Sequence, residues 1–436
     1  MKLICKNILL LMFVFACGNA LLAQDEKILT INDAIELGIQ NSKSLMIDQA
    51  KIDEALANYA KAKNSRLPEL KLSGSAMAMS HGKVNIEFMP SSGNSPKSNS
   101  AFMGSANFSM PIYAGGRIKY GIKSTEYLLE ANKLSVENDK VAIAYNIAQA
   151  YNNLFKANQV IQVLSENLKA AEERDKNLMS LENNGVLARN DRLKANLQTS
   201  NIELQLLDAQ DNFDLANVNM NLLLGLPVET KINVDDTYIS NVTDTIPLDF
   251  YMEQAFKNRK DIQAIEYQKK AAELGTKAAK ANLIPTIALT AGYIAADVPQ
   301  ILSMYNLANI GVGVQYDLGN VWRKNTEMMN AKAQIKKLDA MNGMVQDQIQ
   351  LEVIRDFQAY NLASEKIKVF EKSLEQASEN YRITKNKFDN GLETITNLLE
   401  ADVAQITANI NVLNAKADKA LQYRKLLQTT GILIRE

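Results

Sequence analysis

The chain has 436 residues, 48 of them basic and 49 acidic, for a formal net charge of −1 at pH 7, with eight prolines and nineteen glycines. So even a balance leaves no electrostatic footprint for nucleic acid or an acidic partner. Scarce Pro and Gly beside abundant Ala, Leu, Asn, Gln and Lys argue against ordinary loop-rich domains and for long uninterrupted helices.

The N-terminus reads as an export signal over residues 1–23. Lys2 and Lys6 form the positive region, Ile8 to Ala16 the apolar core, and Leu21-Leu22-Ala23 a small-residue cleavage site before Gln24. A rival reading takes Val14-Phe15-Ala16-Cys17 as a lipoprotein box. Cys5 and Cys17 are the only cysteines, so cleavage after Ala23 leaves an exported chain with no disulfide, thiolate metal site or cysteine nucleophile. Without Lys2 and Lys6 it carries 46 basic against 49 acidic residues, a net −3. Beyond the signal no apolar run reaches the roughly 18 residues of a membrane helix, so any crossing must be a β-barrel.

Residues 24–66 hold a helix, capped at Thr30-Ile31-Asn32-Asp33 and stopped by Leu67-Pro68. Residues 67–113 switch to period two. Leu70, Leu72, Ala76 and Ala78 alternate with Lys71, Ser73, Ser75 and Met77. A polar loop from Ser80 to Ser100 follows, and then Phe102, Ala106, Phe108, Met110 and Ile112 alternate with Met103, Ser105, Asn107 and Ser109. The pattern predicts a hairpin of two strands, each about ten residues, long enough to span a bilayer.

Residues 114–224 predict a long helical hairpin. Its first helix runs to about Glu182, on the order of 100 Å. Heptad rows (Ile147, Leu154, Ile161, Leu168; Ala150, Ala157, Leu164, Ala171, Leu178) give it coiled-coil spacing. The Asn183-Asn184-Gly185 step reverses the chain, because Asn and Gly tolerate the left-handed conformation at a helix end. Leu193, Leu197, Leu204, Leu207 and Val218 mark the returning helix, and 225–249 is a polar connection.

The pattern then repeats. A helix over 250–284 ends at Ile284-Pro285, 217 positions after Leu67-Pro68. Strands around Ile287–Ala295 and Ile310–Leu318, with a loop from Asp297 to Leu307 between them, fill 285–318. A second long hairpin occupies 319–431 and a tail 432–436. Its heptads (Val353, Tyr360, Ile367, Leu374; Ala363, Phe370, Ala377), its turn at Asp389-Asn390-Gly391 and its end at Gly431 follow those of the first hairpin at an offset of 206. Two structurally equivalent halves are expected.

Four strands cannot close a barrel, and an open edge is not tolerated in lipid. Three copies would supply twelve strands, an even number in the outer-membrane range, and twelve long helices beneath them. One row of each strand is apolar, with Phe102, Phe108, Tyr113, Tyr293 and Tyr316 as interface aromatics. The other is small and polar (Ser73, Ser75, Ser105, Asn107, Thr290, Gly311, Gly313, Gln315, Asp317), as a water-filled lumen requires. The competing reading of these strands is a soluble sheet with one wet face.

The order of elements, Tyr113-Ala114-Gly115-Gly116-Arg117 after a strand, Leu224-Gly225-Leu226-Pro227 at mid-chain and the paired Asn-Gly tips resemble the TolC outer-membrane efflux family over essentially the whole mature chain. The resemblance implies an α+β membrane protein, a homotrimeric 12-stranded β-barrel in outer-membrane lipid continued by a periplasmic α-helical barrel of coiled coils in two structural repeats. It implies an exit duct for efflux or type I secretion, closed by an iris of helices, docked by a periplasmic adaptor and coupled to an inner-membrane pump. Members carry an acidic residue six positions after the tip Gly and another three further on. Here those positions hold Asn397 and Glu400. A family arginine two after the Gly is Glu393, and an aromatic three before it is kept as Phe388, so these four are the gate candidates. The tip residues Gly185, Val186, Leu187, Gly391, Leu392 and Leu399 are the adaptor-docking candidates, with simple turn packing as the alternative. The second half also departs at Leu318-Gly319-Asn320, where a different bend is expected.

Read from the residues alone, Glu400 sits where symmetry copies converge, and a ring of like charges at a narrow mouth concentrates cations. The alternative is a solvated residue, or one paired with Arg192 or Lys194. Enzymatic signatures are missing. His81 is the lone histidine, in a polar loop, and no Walker loop or nucleophile elbow occurs. Neither a cofactor nor a metal is expected. Met77, Met79, Met89, Met103 and Met110 are read as packing residues rather than soft-metal ligands. The reading from a different class is an exported coiled-coil scaffold without a pore.

Overall fold

The computed structural model describes residues 27–80, 98–239 and 246–434. The export signal with Cys5 and Cys17, most of the first polar loop with His81 and Met89, residues 240–245 and the last two residues lie outside them. The chain divides into two compact units, one of Met1–Ile47, Val136–Lys260 and Gln346–Glu436, the other of Asp48–Ser135 and Asp261–Val345.

The second unit is built on four strands, β2 (Glu69–Ala78), β3 (Ser100–Tyr113), β5 (Thr286–Val298) and β6 (Leu302–Gln315), antiparallel in the order β2-β3-β5-β6. Their register aligns the period-two rows. Leu70 faces Phe108, Phe108 faces Ala291 and Ala291 faces Ile310; Met110, Leu289 and Val312 form the next apolar rung. Lys71, Asn107, Gly292 and Asn309 make a rung of the opposite, polar face. On that face the Ser73 and Ser105 hydroxyls lie 2.8 Å apart. The apolar face is uncovered, with Ile310 79% exposed.

The loop expected from Asp297 to Leu307 is instead a tight turn between longer strands. Ile301 N–H donates to Val298 O at 3.0 Å across Pro299-Gln300, and Gln300 has φ 67°. Pro at the second position of a turn and a left-handed third residue make a type II turn. Asn306, also left-handed, absorbs a register shift opposite Ile294/Ala296.

The junctions below the two hairpins differ. After β3, Gly115 and Gly116 (φ 60° and 87°) turn the chain directly into helix α3 (Arg117–Asn183). After β6 a short 3-10 turn (Leu318–Val321) intervenes, with Gly319 N–H donating to Asp317 Oδ1 at 2.9 Å, and α7 (Thr326–Asp389) starts later.

In the first unit the long helices pair with α4 (Arg189–Leu224) and α8 (Ile395–Thr429). Ile147, Ala150, Leu154, Leu164, Ala171 and Leu178 are buried as the heptads require, as are Val353, Tyr360 and Ala363. The returning helix corrects the expectation. Leu193, Leu197, Leu204 and Leu207 are 51–64% exposed, and the face α4 packs is Ala195, Ile202 and Ala209. Small residues there let the helices approach closely, which turns the leucines outward.

Two further corrections concern the ends of this unit. The helix expected over 24–66 is two, α1 (Ile31–Asn41) and α2 (Lys43–Asn64), broken at extended Ser42. Asn41, the last residue of α1, donates its side-chain amide to Leu224 O at 2.7 Å, at the end of α4. The second repeat breaks at the matching place, between α5 (Leu248–Asn258) and α6 (Lys260–Ala281). Lys27–Leu29 (β1), ahead of the Thr30 cap, pairs in parallel with Ile232–Val234 (β4) from the mid-chain connection. Tyr151 pins the pair, donating to Leu29 O (2.8 Å) and accepting from Asp235 N–H (2.9 Å).

Candidate functional site: the helical tip

The two helix ends that meet the reversals use one backbone solution. Gly185 and Gly391 both have φ 72°. Val186 N–H donates to Leu181 O and Gly185 N–H to Glu182 O, each at 2.9 Å; Leu392 to Lys387 (2.8 Å) and Gly391 to Phe388 (2.9 Å) repeat the pattern. This is a Schellman closure, in which the left-handed residue lets two N–H groups satisfy the last carbonyls of the helix. The end at Gly431 (φ 74°) has it as well, and at Gly225 (φ 69°) the N–H groups of Gly225 and Leu226 both donate to Asn221 O. No atom lies within 4 Å of a Cβ built on Gly185 or Gly391, so conformation rather than space selects glycine there.

Behind the turns sits a small core of Leu178, Ala195, Ile395 and Leu398, with Leu187, Tyr381, Phe388 and Leu399 packed against it. Among the docking candidates, Leu187 and Leu399 are therefore partly buried. Val186 and Leu392 are the apolar side chains left in solvent, 73% and 76% exposed.

The gate candidates separate into two groups. Glu393 and Asn397 satisfy one another: the Asn397 amide donates to Glu393 Oε1 at 2.7 Å, and Thr394 N–H donates to the same oxygen at 3.1 Å. The Thr394 N–H first, and the Asn397 amide second, hold the Glu393 carboxyl below the ordinary glutamate range. Thr394 caps α8, accepting from Asn397 N–H at 3.3 Å. Glu400 is exposed, and among the described residues no ion pair reaches it. Both of its possible partners are engaged elsewhere. Arg192 pairs with Glu182 and lies 3.8 Å from Asp175, and Lys194 pairs with Asp191 at 3.1 Å.

One cluster escaped the sequence reading. Arg174 on α3 donates to Asp402 Oδ2 on α8 at 2.8 Å, with side chains only 13% and 6% exposed, and its other nitrogen is 3.4 Å from the Tyr381 hydroxyl on α7. Burial pulls the guanidinium down and the Asp402 carboxylate more than restores it, so Arg174 is raised overall; burial pushes Tyr381 up. The heptads hold a signal for one member only: continued by sevens, the row through Leu374 arrives at Tyr381 and Phe388, whereas Arg174 and Asp402 lie off the rows. Polar residues in core positions mark buried bonds. Among the described residues no group of three or more His, Cys, Asp or Glu is placed to hold a metal, and no helix is long and apolar enough to cross a membrane.

A chain with a sheet of one apolar and one polar face, and with twin helical hairpins of matched tips, fits the class of bacterial outer-membrane efflux channels. The chain belongs to the outer membrane efflux protein family, whose model matches residues 34–226 and 251–432. It is an outer-membrane protein that extends into the periplasm. It is 24% identical over 417 residues to nodulation protein T of Rhizobium leguminosarum bv. trifolii, covering 92% of this chain and 84% of that one. It is 23% identical over 432 residues to the outer membrane efflux protein BepC of Brucella suis biovar 1 (strain 1330), covering 96% and 89%. The fold matches the crystal structure of the outer membrane protein VceC from Vibrio cholerae at a TM-score of 0.74 and 19% identity, covering 92% of this chain and 96% of that one.

Proposed function

We propose that this protein is the passive exit duct of a tripartite efflux or type I secretion system, formed by three copies and gated at its helical tip. The observation that carries the reading is the open sheet: among the described residues β2 and β6 each have a strand on one side only, while the apolar ladder is uncovered. Lipid tolerates neither an open edge nor an unsatisfied backbone. Joining β6 of one copy to β2 of the next closes twelve strands, placing the apolar row in lipid and the polar row in the lumen. The exposed leucines of α4 then meet a neighbouring copy. In this reading 67–113 and 285–318 are the membrane hairpins, and 114–224 and 319–431 are the periplasmic hairpins that close a helical barrel. A periplasmic adaptor linked to an inner-membrane pump docks on the tip through Val186 and Leu392, the solvent-facing pair, and Glu400 lines the constriction. The protein performs no chemistry of its own. A pore-free scaffold leaves the uncovered apolar ladder without a purpose.

Outside positions 5 and 17 the chain has no cysteine, so paired cysteines introduced into β2 and β6 report on this closure. Oxidation in isolated outer membranes yields covalent dimers and trimers for the pairs in register. Monomers throughout a full scan of both strands would contradict it.

A further inference from the structure

Where β3 passes into α3, the second unit has an open cavity of about 650 Å³. Three cations line it, Arg66, Lys119 and Lys123, with one carboxylate, Glu126. Glu126 is already held by Lys123 at 2.8 Å, and among the described residues no ion pair reaches Arg66 or Lys119. The rest of the wall is mainly apolar, including Ile112, Tyr113, Ile118 and Ile122. Tyr113 stands in register with Ile287, and Ile287 with Val314, so this wall continues the apolar face of the sheet. Arg66 precedes the first residue of β2 and Lys119 follows the last residue of β3, which sets both cations at the edge of that face. The other junction is bridged by side-chain amides: the Asn320 amide donates to Asn282 O (3.0 Å), the Asn325 amide to Ala279 O (2.9 Å), and Asn282 bonds Glu327, and the cavity there is about 260 Å³, lined by Asp317, Gln315 and Arg117.

Free positive charge beside an apolar wall, at the level where an apolar sheet face gives way to polar helix, matches a ligand that is anionic at one end and hydrocarbon at the other. A small soluble anion has no use for the wall. We propose that this cavity binds one anionic phospholipid per chain, its phosphate on Arg66 and Lys119 and the upper acyl chain along Ile112, Tyr113 and Ile118. The site rests on the placement of the protein in the outer membrane and is independent of the gate.

The test is native mass spectrometry of the full chain purified in detergent, titrated with dioleoylphosphatidylglycerol, dioleoylphosphatidylethanolamine or inorganic phosphate. Phosphatidylglycerol is retained at one per chain and in preference to phosphatidylethanolamine, and inorganic phosphate does not displace it. Arg66→Gln with Lys119→Gln weakens that binding on the order of tenfold, whereas Arg323→Gln with Lys324→Gln, at the other junction, leaves it unchanged. All four side chains are exposed, and an unchanged helical circular-dichroism signal verifies that both variants fold. Equal retention of the two lipids, or no loss in the first variant, overturns the proposal. Displacement by inorganic phosphate overturns it in favour of a soluble anion. Channel conductance recorded on the same preparation separates failure of this site from failure of the duct.

Discussion

Replacing Asp402 by Asn asks what binds the first hairpin to the second near the tip. The substitution removes the charge that faces Arg174 across 2.8 Å, in a site where the two side chains are 13% and 6% exposed. Removing one partner of a buried pair costs about 3–5 kcal/mol, because the other charge stays buried. The Asn side chain returns a neutral hydrogen bond worth about 1 kcal/mol, and the Tyr381 hydroxyl remains within reach of the guanidinium. The net loss is therefore about 2–4 kcal/mol, felt locally because the pair joins α3 to the first turns of α8. Hydrogen exchange on the detergent-purified protein reads this directly: even a 2 kcal/mol loss raises opening of the amides around Leu398–Ile406 by roughly 30-fold. Asp418→Asn is the control. Its partner Lys156 is as close, at 2.9 Å, but the side chains are 49% and 29% exposed, so screening leaves it worth about 0–1 kcal/mol. Replacing both Arg174 and Asp402 by leucine restores most of the protection, since an apolar pair strands no charge. If Asp402→Asn changes exchange no more than Asp418→Asn does, burial is not what makes this pair matter and the reasoning fails.

Gly391→Ala meets no neighbouring atom, so its cost is the left-handed backbone alone, about 1–2 kcal/mol; urea unfolding followed by helical signal should show Gly391→Asn clearly milder. Gly38→Ala is costly for the opposite reason, since its Cβ would meet Ile147 Cδ1 in the core, an overpacking cost of about 1–3 kcal/mol. Glu393 titrates below its ordinary value, so its contribution is fully present above the unfolded-state pKa and is lost as pH falls through the lower folded one. Carboxyl-detected NMR of an isotope-labelled sample follows the midpoint, and Asn397→Ala should move it back up; an unmoved midpoint would show that the amide is not the cause.

Much of this was legible in the chain because the relevant patterns are periodic. Alternation in Leu70–Ala78 and Phe102–Ile112 fixed both strands and faces, and the matched Asn-Gly steps located both reversals. Where the reading failed, tertiary partners overrode local signals. Nothing near Ser42 announces a helix break, and the bond beside it reaches Leu224 O, 183 residues from the Asn41 amide that donates to it. Three-residue strands such as Ile232–Val234 are too short to show a period. The leucines of α4 read as a core row because leucine spacing alone does not say whether its partner lies in the same chain. At the tip, Glu393 and Asn397 were assigned separately by position, although four residues apart on one turn they bond each other.

In a conducting duct whose mouth is lined by Glu400, the carboxylates set the ion preference. Single-channel recording in planar bilayers compares detergent-purified wild type with Glu400→Gln. A small, cation-preferring conductance is expected in the wild type, with the preference lost when the carboxylates are neutralised. A conductance of unchanged selectivity in the variant would return Glu400 to the helix surface, and a protein that stays soluble and monomeric without detergent would contradict the duct itself.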